Sequence, residues 1–156
     1  MPADTLVRDV MSTKLFSVGP DSSVNDAADI LAEKGVSTLP VVDGAGQLLG
    51  VLRDDDLIAS EARVHVPTFF NFLGLGVPFP GEMKHLEHEL KKIAGASLRD
   101  VMDDAPPTIG PDETLEDVAT LMHERQVNSV PVVDRDGKLV GIVARADLVR
   151  DIARTT

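Results

Sequence analysis

The chain has 156 residues, with 15 Lys and Arg against 26 Asp and Glu, and the resulting net charge of −11 argues against a sequence-independent grip on nucleic acid or anionic lipid. Hydrophobic residues at 43% and charged residues at 26% are globular proportions and exclude global disorder. The absence of cysteine excludes disulfides, thiol nucleophiles, thiolate zinc sites and iron–sulfur clusters, and 3% aromatics without Trp or Tyr leave no stacking platform for single-stranded nucleic acid.

In chain order, the first segment carries Asp4, Arg8 and Asp9 and has no apolar signal region, and no apolar run reaches the roughly 18 residues of a spanning helix. A soluble, cytoplasmic protein without membrane insertion is expected. Leu6 to Met11 predicts a short amphipathic turn, and Phe16 to Val18 an extended segment that Gly19-Pro20-Asp21 terminates. Ser23, with Asp26 three residues on, marks a helix start, and Val24, Ala27, Ala28 and Leu31 make its apolar face. Two strands follow, Leu39 to Asp43 and Gln47 to Leu52. The loop Asp43-Gly44-Ala45-Gly46 joins them, and its last glycine suits the left-handed position that closes a hairpin. A second helix begins near Asp54.

Residues 61–96 differ in character. The stretch around them holds Phe69, Phe70, Phe72 and Phe79 together with His65, His85 and His88, and Pro67, Pro78 and Pro80 interrupt regular structure in its first half. From Glu82 to Ile93 a helix is predicted, with Met83, Leu86, Leu90 and Ile93 as one apolar stripe. His85 and His88 lack the i,i+4 spacing of a zinc-protease pair and are read as a solvated face. Gly74-Leu75-Gly76 has no third glycine, Gly137-Lys138 has no upstream P-loop glycine, and no Gly-x-Ser-x-Gly exists. Neither catalytic residues nor a metal site are expected.

The remainder repeats the first part. A shift of 91 positions, without a gap, puts Arg8-Asp9-Val10-Met11 on Arg99-Asp100-Val101-Met102, Pro40-Val41-Val42-Asp43 on Pro131-Val132-Val133-Asp134, and Asp56-Leu57 on Asp147-Leu148. The second copy accordingly predicts a turn over Leu98 to Met102, an extended segment at Thr108 to Ile109, and a helix opened by Thr114 and Asp117. Strands Val130 to Asp134 and Lys138 to Val143 follow, then a helix from Arg145. The fold class is α/β (α+β): two tandem β-α-β-β-α repeats, residues 1–60 and 97–156, related by a pseudo-twofold, with a helical insert at 61–96. A unit of about fifty residues buries too little surface alone, so the copies should pair, and the whole should form a homodimer.

The Arg-Asp-Val-Met opening, the Pro-Val-Val-Asp strand, and Gly50-Val51-Leu52-Arg53-Asp54-Asp55-Asp56-Leu57 with its counterpart Gly141-Ile142-Val143-Ala144-Arg145-Ala146-Asp147-Leu148 resemble the cystathionine-β-synthase-type (CBS) domain pair, or Bateman module. The resemblance implies a non-catalytic regulatory module that binds an adenosine-containing ligand (AMP, ADP, ATP or S-adenosylmethionine) in clefts between the repeats. It places the ribose on Asp56 and Asp147. The adenine pockets would be Phe16, Val36, Ser37, Thr38 and Pro40 in one copy and Pro107, Val127, Asn128, Ser129 and Pro131 in the other.

A carboxylate suits a ribose cis-diol because charge-assisted hydrogen bonds contribute roughly 1.5–3 kcal/mol each. The plain alternative for each aspartate, an acid near a helix start, is the weaker of the two readings, whereas Val36, Val127 and both prolines fit the core at least as well. The family often has Ser or Thr three residues before the ribose aspartate, whereas this chain has Arg53 and Ala144. Arg53 and Arg145 become the candidate phosphate donors, with magnesium as a possible companion ion. Asp54 and Asp55 crowd Asp56, and like charges ~5 Å apart repel by roughly 3 kcal/mol at an effective dielectric near 20, so the Asp147 cleft should take an anionic nucleotide better. The competing reading is a protein-interaction module with degenerate clefts that docks through the Phe-rich insert; a metal enzyme built on His85 and His88 is the third.

Overall fold

The computed structural model describes residues 4–58 and 98–155. The insert helix expected at Glu82 to Ile93, the phenylalanine cluster, His85 and His88 lie outside the described residues. Helix α1 (Val7–Val10) leads to α2 (Val24–Lys34), strands β1 (Thr38–Val42) and β2 (Leu48–Arg53), and helical residues 54–58. The second copy begins with a 3-10 turn at Leu98–Asp100 and continues through α3 (Leu115–Arg125), β3 (Ser129–Val133), β4 (Leu139–Ala144) and α4 (Arg145–Thr155). β1 pairs with β2 and β3 with β4, giving two two-stranded sheets.

The local signals work as the sequence implies. Ser23 Oγ accepts from Asp26 N at 3.1 Å and opens α2. At α3, Thr114 Oγ1 accepts from Asp117 N at 3.2 Å while Thr114 N donates to Asp117 Oδ2 at 3.1 Å, which satisfies two of the orphan donors of the first turn. α2 ends on Gly35 in the left-handed region (φ 62°), whereas α3 ends on Gln126 in the same conformation (φ 56°), where a Cβ is unfavourable.

The extended segments expected before each helix are shorter than strands. Val18 N donates to Pro40 O at 3.1 Å and Val42 N to Val18 O at 2.9 Å; Ile109 N and Val133 N repeat this with Pro131 O and Ile109 O at 3.1 and 2.9 Å. Each is a single parallel bridge. Gly19-Pro20 and Gly110-Pro111 end the pairing after one residue, and Pro106 and Pro107 bring no N–H donors to the second.

Among the described residues the chain divides into two compact units, one of residues 4–19, 40–51 and 103–155, the other of 20–39, 52–58 and 98–102. The first contains a core of Val7, Ile109, Leu115, Val118, Met122, Val130, Val132, Val143 and Leu148. Burying a side chain of this size stabilises by about 1.5–3 kcal/mol before entropy opposes it. The second unit buries Ala27, Leu31, Leu39, Leu52 and Leu98.

Within the first unit the two copies exchange hydrogen bonds reciprocally at the 91-residue offset. Ser12 bridges Ile142 (N to O 2.9 Å, return 3.0 Å), and the corresponding Asp103 bridges Val51 (2.9 and 3.0 Å). Leu48 N donates to Gly137 O and Leu139 N to Gly46 O, both at 3.1 Å. Every donor has its counterpart 91 positions away, which is the signature of a local twofold. Gly46 and Gly137, at φ 83° and 80°, occupy the hairpin positions predicted for them.

Candidate functional site

Both candidate ribose aspartates are fixed by the same device. Asp147 is the third residue of α4, and its Oδ2 accepts from the N–H of Ala144, three residues earlier, at 2.8 Å. Asp56 Oδ2 accepts from Arg53 N at 3.2 Å. In each case the carboxylate stops the helix N-terminus from fraying and is itself held in one orientation. The next residue ties the helix start to the residue just before the first strand of the same hairpin: Arg145 N donates to Asn128 O at 2.8 Å, and Asp54 N to Ser37 O at 2.9 Å.

In the second copy this geometry gathers most of the expected residues. β3 and β4 are antiparallel with Ser129 opposite Ala144, so Asn128, Ser129, Arg145 and Asp147 meet where β3 begins and α4 starts. Ser129 and Pro131 are buried, Val127 is half-buried against the core, and Asn128 and Arg145 are exposed. Pro107 is half-buried and precedes the segment whose Ile109 bonds Pro131. The site thus combines buried apolar residues, exposed polar groups and a carboxylate, the side-chain composition of a small-molecule subsite.

In the first copy, Ser37, Arg53 and Asp56 come together in the smaller unit, with Thr38 buried and Val36 half-buried. Phe16 and Pro40 belong to the larger unit, where Val18 N joins their two segments. Asp54 and Asp55 are both exposed beside Asp56, and Asp55 N caps onto Asp54 Oδ1 at 2.8 Å.

The sequence reading missed Arg150. Its Nη1 donates to Asp147 Oδ1 at 3.2 Å, with Asp147's side chain 14% exposed. The i,i+3 spacing of a cation after the aspartate was a visible signal. Matching the copies hid it, because the counterpart is Ala59. A surface depression lined by residues including Gly110, Asp112, Val133 and Arg135 lies at the opposite end of β3 and shares no residue with this site. Among the described residues no cluster of three or more His, Cys, Asp or Glu side chains could hold a metal ion, and no helix is long and apolar enough to cross a membrane.

A family model described as "CBS domain" matches residues 7–63 and 98–154. The chloroplastic CBS domain-containing protein CBSX2 of Arabidopsis thaliana is 36% identical over 137 residues, 87% of this chain, which spans 58% of that relative's length. The crystal structure of CBSX2 in complex with AMP covers 97% of this chain and 98% of its own, with a TM-score of 0.75 and 33% identity. The CBS domain pair of protein MJ0100, in complex with 5′-methylthioadenosine and S-adenosyl-L-methionine, covers 95% of this chain and 99% of its own at TM-score 0.71 and 25% identity.

Proposed function

Since the chain belongs to the CBS domain family and carries two copies in tandem, we propose that it is a non-catalytic regulatory module that binds an adenosine-containing ligand at Asp56 and Asp147. The observation that carries this reading is the duplicated carboxylate anchor. Oδ2 of each aspartate is locked by the N–H three residues before it, at a helix start whose first N–H bonds the residue just before the first strand of the same hairpin. A carboxylate so oriented presents its remaining lone pairs to a ribose cis-diol without first losing rotamer freedom. The complexes of CBSX2 with AMP and of MJ0100 with S-adenosyl-L-methionine support the adenosyl class.

The second cleft is the better nucleotide site in this reading. Its helix starts Arg145-Ala146-Asp147 where the first starts Asp54-Asp55-Asp56, so an anionic phosphate meets a guanidinium in place of two further acids. Calorimetry with AMP and ATP on Asp56→Ala and Asp147→Ala tests it. The larger loss is expected in Asp147→Ala, and loss confined to Asp56→Ala refutes the order. A chain that binds no adenosyl compound returns the reading to an interaction module.

A homodimer and cytoplasmic residence belong to the same proposal. Ile58 and Val149, which correspond at the 91-residue offset, are 67% and 58% exposed, and Ile152 lies on the same helix as Val149. A second copy covering these apolar side chains would remove them from water. Sedimentation at micromolar concentration should show a dimer, and a monomer there overturns it.

A further inference from the structure

We infer that Arg150 sets the charge selectivity of the second cleft, so that this cleft favours phosphorylated adenosyl ligands over cationic ones. The inference rests on the reading of Asp147 as the ribose carboxylate. Asp147 Oδ2 is bound to the helix N-terminus through Ala144 N at 2.8 Å, and Oδ1 is bound to Arg150 Nη1 at 3.2 Å. The carboxylate is therefore both clamped and neutralised. A ribose hydroxyl arriving at Asp147 finds a charge already balanced by a guanidinium one helical turn away, and Arg145 stands exposed at the helix start. The first repeat has alanine at the position of Arg150 and acids at those of Arg145 and Ala146, so the local charge of the two clefts differs in sign although the carboxylate is anchored by the same backbone bond in both.

The physical consequence depends on the ligand's charge. A phosphate near Asp147 is repelled by a bare carboxylate and tolerated by a paired one, and a sulfonium is attracted by the bare carboxylate and loses that attraction at the pair. A neutral nucleoside is indifferent to the charge and senses only the orientation of the carboxylate. Arg150 is thus a positioning and charge-setting residue that acts through Asp147.

The test is calorimetry of the full chain carrying Asp56→Ala, which isolates the second cleft, with AMP, adenosine and S-adenosylmethionine, in the presence and absence of Arg150→Met and Arg150→Lys. In Arg150→Met, AMP should weaken about fivefold, the scale of one partly exposed charge pair, S-adenosylmethionine should tighten, and adenosine should change less than about twofold. Arg150→Lys should restore most of the AMP preference, and 0.5 M salt should shrink the difference between AMP and S-adenosylmethionine, because the Debye length then falls to about 4 Å. If all three ligands change by the same factor in Arg150→Met, Arg150 is only a structural support and the inference is overturned while the adenosyl reading stands. If the Asp56→Ala chain with Arg150 intact binds none of the three, the adenosyl reading of the second cleft fails and the inference fails with it.

Discussion

Replacing Gly141 by alanine should destabilise the protein by about 1–2 kcal/mol, and the reason lies in one close approach. A Cβ built on Gly141 would stand 2.5 Å from Met11 Sδ, 3.0 Å from Met11 Cγ and 3.2 Å from Ser12 O. The thioether can swing aside at a rotamer cost of about 0.5–1.5 kcal/mol. Ser12 O has less freedom, because it accepts from Ile142 N at 3.0 Å while Ser12 N donates to Ile142 O at 2.9 Å. The methyl therefore presses on the bridge between the copies, and overpacking of this kind costs about 1–3 kcal/mol. Against it stands the gain of about 0.4–1 kcal/mol that alanine brings by restricting the unfolded chain. The net loss should lower Tm by about 2–8 °C in a chain of this length. Thermal and urea unfolding of Gly141→Ala, Met11→Ala and the double variant form the assay. The double variant should be more stable than the sum of the singles by about 0.5–1.5 kcal/mol, since removing Met11 opens room for the methyl. An unchanged or raised Tm for Gly141→Ala, or strict additivity, refutes the account.

Two further predictions concern the helix ends. Gln126→Gly should stabilise by up to about 1 kcal/mol, because glycine removes the left-handed Cβ penalty and only an exposed Nε2 bond to His123 O is lost; the reverse change, Gly35→Gln, should destabilise by a similar amount in the same unfolding assay. Thr114→Ala breaks one half of the reciprocal cap on α3 and should lower stability by about 1 kcal/mol, whereas Arg8→Ala, which removes only the exposed ion pair with Asp112, should change it by less than about 0.5 kcal/mol.

The fold was legible where it is local. Ser23 and Thr114 cap the helices they were expected to cap, Gly46 and Gly137 take the left-handed turn, and the four hairpin strands lie within one residue of the predicted bounds. The repeat made the second copy predictable from the first. What stayed hidden is long-range. Nothing in the periodicity around Ser12 or Asp103 says that each bonds the closing strand of the other copy, because such pairing depends on loop closure over many residues. At the site, the alignment of the copies pointed to Asp56 and Asp147 but also masked Arg150, since a feature present in only one copy looks like surface variation. The plain reading of both aspartates was also right in part: each carboxylate does hold a helix start.

The exchange of bonds between copies has a practical side. Ser12 donates to and accepts from Ile142, and Asp103 does the same with Val51, so each repeat carries one half of two identical junctions. A single repeat has an unsatisfied edge complementary to a second molecule of itself, which is the condition for an isologous dimer. The tandem chain therefore has the symmetry of such a dimer within one polypeptide. In one polypeptide the partner half is held at a high effective concentration, and the halves need not be identical, as Arg150 and Ala59 are not. Cutting the chain within 61–96 and mixing the two halves should reassemble the module, and either half alone should seek its own copy.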